Sequence, residues 1–332
     1  MQYPKISIIT PSYQQGQYLE TTILSVLNQN YPNLEYMIFD GASTDNSVEI
    51  IKKYESKLDF WLSEKDNGQS DAINKGFAKA TGEIVTWLNS DDQLEEGTLF
   101  KIAEYFTQNP KIHLVHGQTL FFGDNISTWQ SQPILKDLQY LRLSGMCFAQ
   151  PAAFFKRASL EQFGFLNPAF HYAMDYDFFL QIALHHDFLQ VNDLFAHYLI
   201  HATSKTTLHN QGFAKEYAQI LSKLLRSFSF GKKYIQFLKD LDLYYEGSDL
   251  YSVGKNISEK DLERVFFYNL NSQLKFYYDD SDLHQSLKIT SFLKENMPSF
   301  YAEHSELAQV YWRSKYLNKD LITFLRKIKK ML

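Results

Sequence analysis

The sequence predicts an α/β fold with a mostly parallel central sheet, followed by a helical C-terminal region. Three observations support this. Short β-branched or aromatic runs alternate with helical patterns through the first hundred residues, and turn residues mark each switch. After about Thr206 only helical periodicity remains. Ile6 to Thr10 reads as a first strand closed by Pro11, and Gln17 to Gln29 as a helix with Leu19, Ile23, Val26 and Leu27 on one face. Tyr31-Pro32-Asn33 turns into a second strand, Leu34 to Phe39. A helix then runs to Tyr54, with Ser43 as its candidate N-cap. Leu58 to Leu62 is the third apolar run. The polar loop SEKDNGQS leads into a helix over Asp71 to Ala80, and Ile84 to Leu88 forms the fourth strand.

Beyond that the alternation loosens. Leu114 to Phe122 suggests strand, turn and strand about Gly117, Phe148 to Phe155 is an apolar stretch interrupted at Gln150-Pro151, and Asp175 to Leu184 reads as a helix. Antiparallel additions to the sheet account for this stretch. Helices are expected at 217–225, 232–241, 261–276, 283–294 and 305–316. The tail Leu321 to Leu332 puts Leu321, Leu325 and Ile328 on one stripe, ringed by Arg326, Lys327, Lys329 and Lys330. It reads either as a helix docked on its own domain or as one lying on anionic membrane.

Composition narrows the function. With 332 residues, 45% hydrophobic, the chain can bury a substantial core, and a net charge of -5 argues against a nucleic-acid partner. One cysteine, Cys147, excludes an internal disulfide framework and fits a reducing compartment. The opening MQYPKISIITPSY has no leader pattern and no window reaches the length of a membrane span, so a cytoplasmic location is expected. Aromatic residues make up 16%, which ordinary core packing explains better than sugar-stacking surfaces. A phosphate loop with its lysine, a dinucleotide glycine fingerprint and a G-x-S-x-G elbow are all missing.

What remains is acidic and sits where ligands of such sheets gather, outside the carboxyl ends of the strands. Thr10-Pro11, Asp40-Gly41 and the segment Asn89 to Asp92 all end strands there. Asp91 and Asp92 can hold a hard divalent cation, Mn2+ or Mg2+, which takes oxygen ligands. His201, at the end of the apolar run that starts at Phe195, either completes a metal shell with Asp92 or makes a structural hydrogen bond. Asp175 and Asp177 open a helix two residues apart and do not share a face. One can look into a cleft while the other caps the helix or faces solvent.

These residues resemble a known family. ISIITPSYQQGQYLETTILSVLNQNYPNLEYMIFDGASTDNS, followed by WLSEKDNGQSDAINKGFAKATGEIVTWLNSDD, is similar to the family 2 glycosyltransferases of GT-A fold. The likeness is strongest over residues 5–94 and returns weakly at GMCFAQPAAFFKR, HYAMDYDFFLQIA and LIHATSKT. The resemblance implies a catalytic domain over 1–205, with a nucleotide-sugar half to about 95 and an acceptor half beyond, then a helical extension over 206–332. It implies inverting transfer from a nucleotide diphosphate sugar, a UDP-sugar favoured, to a saccharide or glycolipid acceptor in surface polysaccharide or lipopolysaccharide synthesis. By the same resemblance Thr10, Pro11, Tyr13, Asp40 and Asp66 lie against the nucleoside, Asp91 near the ribose, Asp92 on the cation, His201 near the diphosphate, and Asp175 acts as base. Three motifs depart from the family's usual form: Asp40-Gly41-Ala42-Ser43 for Asp-Asp-Gly-Ser, Ala72-Ile73-Asn74 for Ala-Arg-Asn, and Asn89 for the first acid of the metal motif. Lys75 or Lys65 is the candidate for assisting the phosphates in place of the missing arginine. A noncatalytic sugar-nucleotide-binding module would lack the base, and a nucleotidyltransferase would need a basic phosphate loop that TPSYQQG does not supply.

Overall fold

The computed structural model describes residues 3–123, 126–202, 204–205 and 210–322, so the basic part of the predicted tail, Leu325 to Lys330, lies outside the described residues. The chain divides into two compact units. One takes 1–136 and 146–204, the other 137–145 and 205–332.

The first unit is built on one sheet. Strands β1 (Ile6–Ser12), β2 (Leu34–Asp40), β3 (Phe60–Ser63) and β4 (Ile84–Trp87) pair in parallel in the order β3-β2-β1-β4. The crossovers are α1 (Gly16–Leu27), α2 (Ser47–Tyr54) and α3 (Gln69–Lys79). A two-residue strand β5 (Gln93–Leu94), α4 (Thr98–Gln108), β6 (Leu114–Gly123) and β7 (Trp129–Gln130) follow. Antiparallel additions then complete the sheet. β8 (Ala153–Lys156) pairs antiparallel to both β4 and β6, and β9 (Phe188–Ile200) runs parallel to β6 and carries β5 on its outer edge.

Both faces are covered. On one, Leu19, Ile23 and Val26 of α1 and Leu99 and Ile102 of α4 pack on Ile6, Ile8, Ile38 and Phe195. The other is aromatic: Phe77 of α3, Trp87, Phe155, and Phe178 and Phe179 of a helix introduced below meet with ring centroids 5.1–6.4 Å apart. These five rings are core packing.

Two local expectations are overturned. Gly117 does not turn the chain, because β6 runs unbroken through it. A Cβ there would lie 2.4 Å from the Phe195 ring and 2.5 Å from the Asp193 carbonyl oxygen, and the β6–β9 register shifts at this point, so the glycine accommodates a bulge. Ser43 does not cap α2, which starts four residues later. The Ser43 backbone N–H and hydroxyl both donate to Asp40, and Asp45 accepts from the N–H of Ser47 instead.

The amino ends of the parallel strands are held by Glu35. Its carboxylate accepts from Lys5 Nζ (2.7 Å), Ser7 Oγ (2.5 Å), Thr81 N (2.8 Å) and Thr81 Oγ1 (2.6 Å). Burial pushes this carboxyl up, but the four hydrogen bonds outweigh it and hold it at about 2.

Between β7 and β9 lie α5 (Leu138–Ser144), α6 (Ala158–Phe163) and α7 (Met174–Ala183), and α5 belongs to the second unit. That unit continues as α8 (Asn210–Arg226), α9 (Lys232–Asp240), α10 (Glu259–Asp279), α11 (Leu283–Asn296), α12 (Pro298–Glu303) and α13 (Ser305–Tyr316). Leu221, Leu238, Phe266, Phe267, Leu270, Ile289, Leu293 and Leu307 form its core. The segment 137–145 is locked into it. Asp137 accepts from Arg264 and Tyr268, and the Ser144 carbonyl accepts from the buried Asn269 amide. The resemblance places these residues in a domain over 1–205, whereas the contacts that hold them come from more than a hundred residues away. Among the described residues no helix is long and apolar enough to cross a membrane.

Candidate active site

The segment Asn89 to Asp92 leaves the carboxyl end of β4 and is fastened from three directions. The Thr22 hydroxyl, fully buried on α1, lies within 2.9 Å of the Ser90 carbonyl oxygen and 2.8 Å of that of Asp92. Gln69, the first residue of α3, donates to Asn89 Oδ1 (2.7 Å), and Asn89 Nδ2 donates to Asp92 Oδ2 (3.1 Å). Gln150 donates its amide to the Trp87 carbonyl oxygen (2.7 Å) at the strand's end. Sequence reading missed Thr22, Gln69 and Gln150 as site-builders, since a polar residue on a helix or beside a proline carries no sign of its distant partner.

The two neighbouring aspartates have different environments. Asp92 is 1% exposed. Its carboxyl is raised well above the usual carboxylate range, first by burial and then by the Asp91 charge, while hydrogen bonds from Asn89 and the Leu199 backbone oppose the shift. The Asp91 side chain keeps 21% of its surface, and its Oδ2 lies 3.0 Å from His201 Nε2. The His201 ring packs against Tyr18 of α1 at 4.9 Å between centroids. The imidazole thus makes a hydrogen bond to the Asp91 carboxylate, one of the two roles open to it from sequence, while Asp92 turns inward to Asn89 and Leu199. The donor set fits a divalent cation: two adjacent carboxylates, one buried and disfavoured in its charged form, become compatible when a positive ion neutralises them.

The second-strand end is crowded. Asp40 is 3% exposed and accepts from Ser43 N (2.9 Å), Ser43 Oγ (2.6 Å) and Ser63 Oγ (2.6 Å), so most of its acceptor capacity goes into building the turn. Gly41 sits against Tyr13 and Asp66: a Cβ there would be 2.8 Å from Asp66 Oδ2 and 3.2 Å from the Tyr13 ring. Tyr13 is 62% exposed and Asp66 half-buried, and they are the accessible members of this group. Thr10 and Pro11 are buried within β1. The Thr10 hydroxyl lies 3.1 Å from that of Tyr36 in the interior.

Asp175 lies in the first turn of α7, half-buried. It is not the helix cap, a position held by Ala173, and its Oδ1 accepts from the Tyr176 N–H (2.8 Å). Asp177 is buried. Asn74 of α3 clasps the loop that leads to α7, donating to the Leu166 carbonyl oxygen (2.9 Å) and accepting from its N–H (3.0 Å). Lys75 pairs with Glu64 (2.9 Å) and Asp71 (3.5 Å), and the Glu64 hydrogen bond contributes most to raising its pKa.

A parallel α/β half extended by antiparallel strands, with carboxylates at the strand ends, is the GT-A-like fold, and comparison with known proteins agrees. The profile named Glycosyl transferase family 2 matches residues 7–164. An uncharacterized glycosyltransferase of Haemophilus influenzae is 34% identical over 186 residues, covering 54% of this chain and 72% of that protein. A putative teichuronic acid biosynthesis glycosyltransferase of Bacillus subtilis, TuaG, is 34% identical over 124 residues, 36% of this chain and 49% of TuaG. Among solved structures, TarS 1-349 of S. aureus in complex with UDP-GlcNAc superposes with a TM-score of 0.56 at 15% identity, covering 93% of this chain and 90% of that one. The mannosyltransferase PcManGT of Pyrobaculum calidifontis, in complex with GDP-Man and Mn2+, gives 0.56 at 15% identity, covering 95% and 85%. This fold likeness extends past residue 206, where the sequence resemblance stops. The chain belongs to glycosyl transferase family 2.

Proposed function

We propose that this glycosyltransferase moves a sugar, with inversion, from a nucleotide diphosphate sugar to a hydroxyl of a saccharide or lipid-linked saccharide acceptor, in the synthesis of surface polysaccharide or lipopolysaccharide. The observation that carries the reading is the strand-end pair in which Asp91 faces His201 while Asp92 is buried behind it. Tyr13 and Asp66, flanking Gly41, line the place for the nucleoside, with a UDP-sugar favoured. Asp91 and His201 would hold Mn2+ or Mg2+, with Asp92 supporting them from the core. When bound, the cation supplies Lewis-acid neutralisation of charge on the departing diphosphate. Asp175 takes the proton from the acceptor hydroxyl as that oxygen attacks the anomeric carbon on the face opposite the leaving group. No protonating acid is needed for a nucleotide diphosphate. Complexes of similarly folded proteins with UDP-GlcNAc and with GDP-Man and Mn2+ support the donor class. The acceptor class implies work at the inner face of the cytoplasmic membrane.

Calorimetry of UDP and GDP with Mn2+ and with chelator tests the donor half. Nucleotide binding that requires the cation is the expected result, and binding unchanged by chelator would defeat it. A panel of nucleotide sugars with cell-derived lipid-linked acceptors, read by mass spectrometry and NMR of the product linkage, tests the transfer itself.

A further inference from the structure

Helix α13 has one side in the core and one that no described residue covers. Leu307 is fully buried, Ser314 is buried and Val310 packs against the same cluster. On the outer side Trp312 is 54% and Tyr316 61% exposed. They are four residues apart, share a face and pack with ring centroids 5.8 Å apart. The Lys315 ammonium lies 5.4 Å from the Tyr311 ring and 5.5 Å from the Tyr316 ring. Arg313 and Lys319 are exposed, and so is Leu321 just beyond.

Two large amphipathic rings side by side in water, ringed by cations, match the composition of a membrane interface, where the ring body sits among acyl chains and the polar edge stays wet. The local charges point the same way: between Ser305 and Ile322 the cations Arg313, Lys315 and Lys319 stand against Glu306 and Asp320, in a chain whose net charge is -5. Self-association through this face would set cation against cation across a two-fold axis, whereas an anionic lipid surface complements it. We propose that the Trp312–Tyr316 face of α13 is an interfacial membrane-binding surface, with the rings at headgroup depth and Arg313 and Lys315 against lipid phosphates. The proposal goes beyond the transfer reading and stands independently of it, since its test involves no donor or acceptor.

The test is co-sedimentation of the full chain with phosphatidylcholine vesicles, with and without about one-third phosphatidylglycerol. Binding is expected only with the anionic lipid, and is expected to weaken in high salt. The double variant Trp312→Ala, Tyr316→Ala is expected to bind about tenfold more weakly with an unchanged circular dichroism spectrum, since both rings are exposed. Arg313→Gln with Lys315→Gln is expected to weaken binding while leaving both rings in place. Brominated lipid is expected to quench part of the tryptophan fluorescence, and Trp312→Phe to abolish that part. A chain ended after Ile322 that still distinguishes parent from double variant supports the helix face. Loss of all binding on that truncation would move the surface into residues 323–332 and overturn the proposal. Equal binding by the double variant, no binding to either vesicle, or a concentration-dependent dimer dissolved by the double variant would overturn it too.

Discussion

The two ends of the parallel strands each bury a carboxylate, and the two carboxylates are treated in opposite ways. At the amino ends, Glu35 receives four hydrogen bonds and is held at about 2. At the carboxyl ends, Asp92 lies beside Asp91 with fewer donors, and burial and like charge push it up. A buried acid whose acceptor sites are filled by its own chain works as a clasp. One left short of positive charge is a place for a ligand to supply it. The same distinction applies within the site, where Asp40 is filled by Ser43 and Ser63 and Asp91 is not.

The largest effects are expected where chemistry needs the carboxyl end. Asp175→Asn should retain donor binding and lower transfer by about 10²–10⁴-fold, the usual loss for a general base, measured as kcat with an active acceptor. Near-parental transfer would remove Asp175 from the mechanism. Asp91→Ala should abolish the Mn2+ dependence of nucleotide binding in calorimetry, whereas Glu35→Gln should leave that dependence intact. If Glu35→Gln removed it as well, the division between the two ends would fail.

Smaller effects separate the ends by stability. Glu35 has its pKa depressed on folding, so its contribution is complete above the unfolded value near 4.5 and is lost as pH falls toward about 2. Glu35→Gln is therefore expected to lower stability by about 2 kcal/mol at neutral pH, and the gap to the parent should close with acidification, read by urea titration. Asp92 has the opposite sign. Its raised pKa means the folded chain holds a proton that the unfolded chain releases, so stability falls as pH rises from the unfolded value near 3.8 upward. In chelator, Asp92→Asn is expected to be more stable than the parent by about 1 kcal/mol at neutral pH, with the advantage vanishing below about pH 4. A destabilised Asp92→Asn in chelator would show that the carboxylate is satisfied by the chain.

Legibility from sequence follows the range of the forces. β1 to β4 and their crossovers are readable because strand and helix periods are local, although β1 continues through Pro11, the residue expected to close it, as far as Ser12. The strand-end position of Asp91 and Asp92 follows from the fourth run, and that of His201 from the later apolar run that starts at Phe195. Which aspartate His201 would meet does not, because Asn89 and Leu199 decide it by turning Asp92 inward. Thr22 reads as an ordinary helix residue until its hydroxyl is found on carbonyls 68 and 70 positions away. Gly117 reads as a turn because the Phe195 ring it makes room for lies on a strand formed much later in the chain.

The return of 137–145 to the helical unit has a consequence for how the protein is made. The Ser144 carbonyl waits for a partner 125 residues further on, and Asp137 for two at 127 and 131. At about 5–20 residues per second of synthesis, that wait is on the order of 6–25 s after the segment is made. Through that interval the strands on either side of it, β7 and β8, are joined by a loop without its anchor. The C-terminal helices are therefore no removable appendage: a chain cut short after residue 204 would keep an unanchored insertion in the middle of its sheet domain, open to proteases and to pairing with a neighbouring nascent chain.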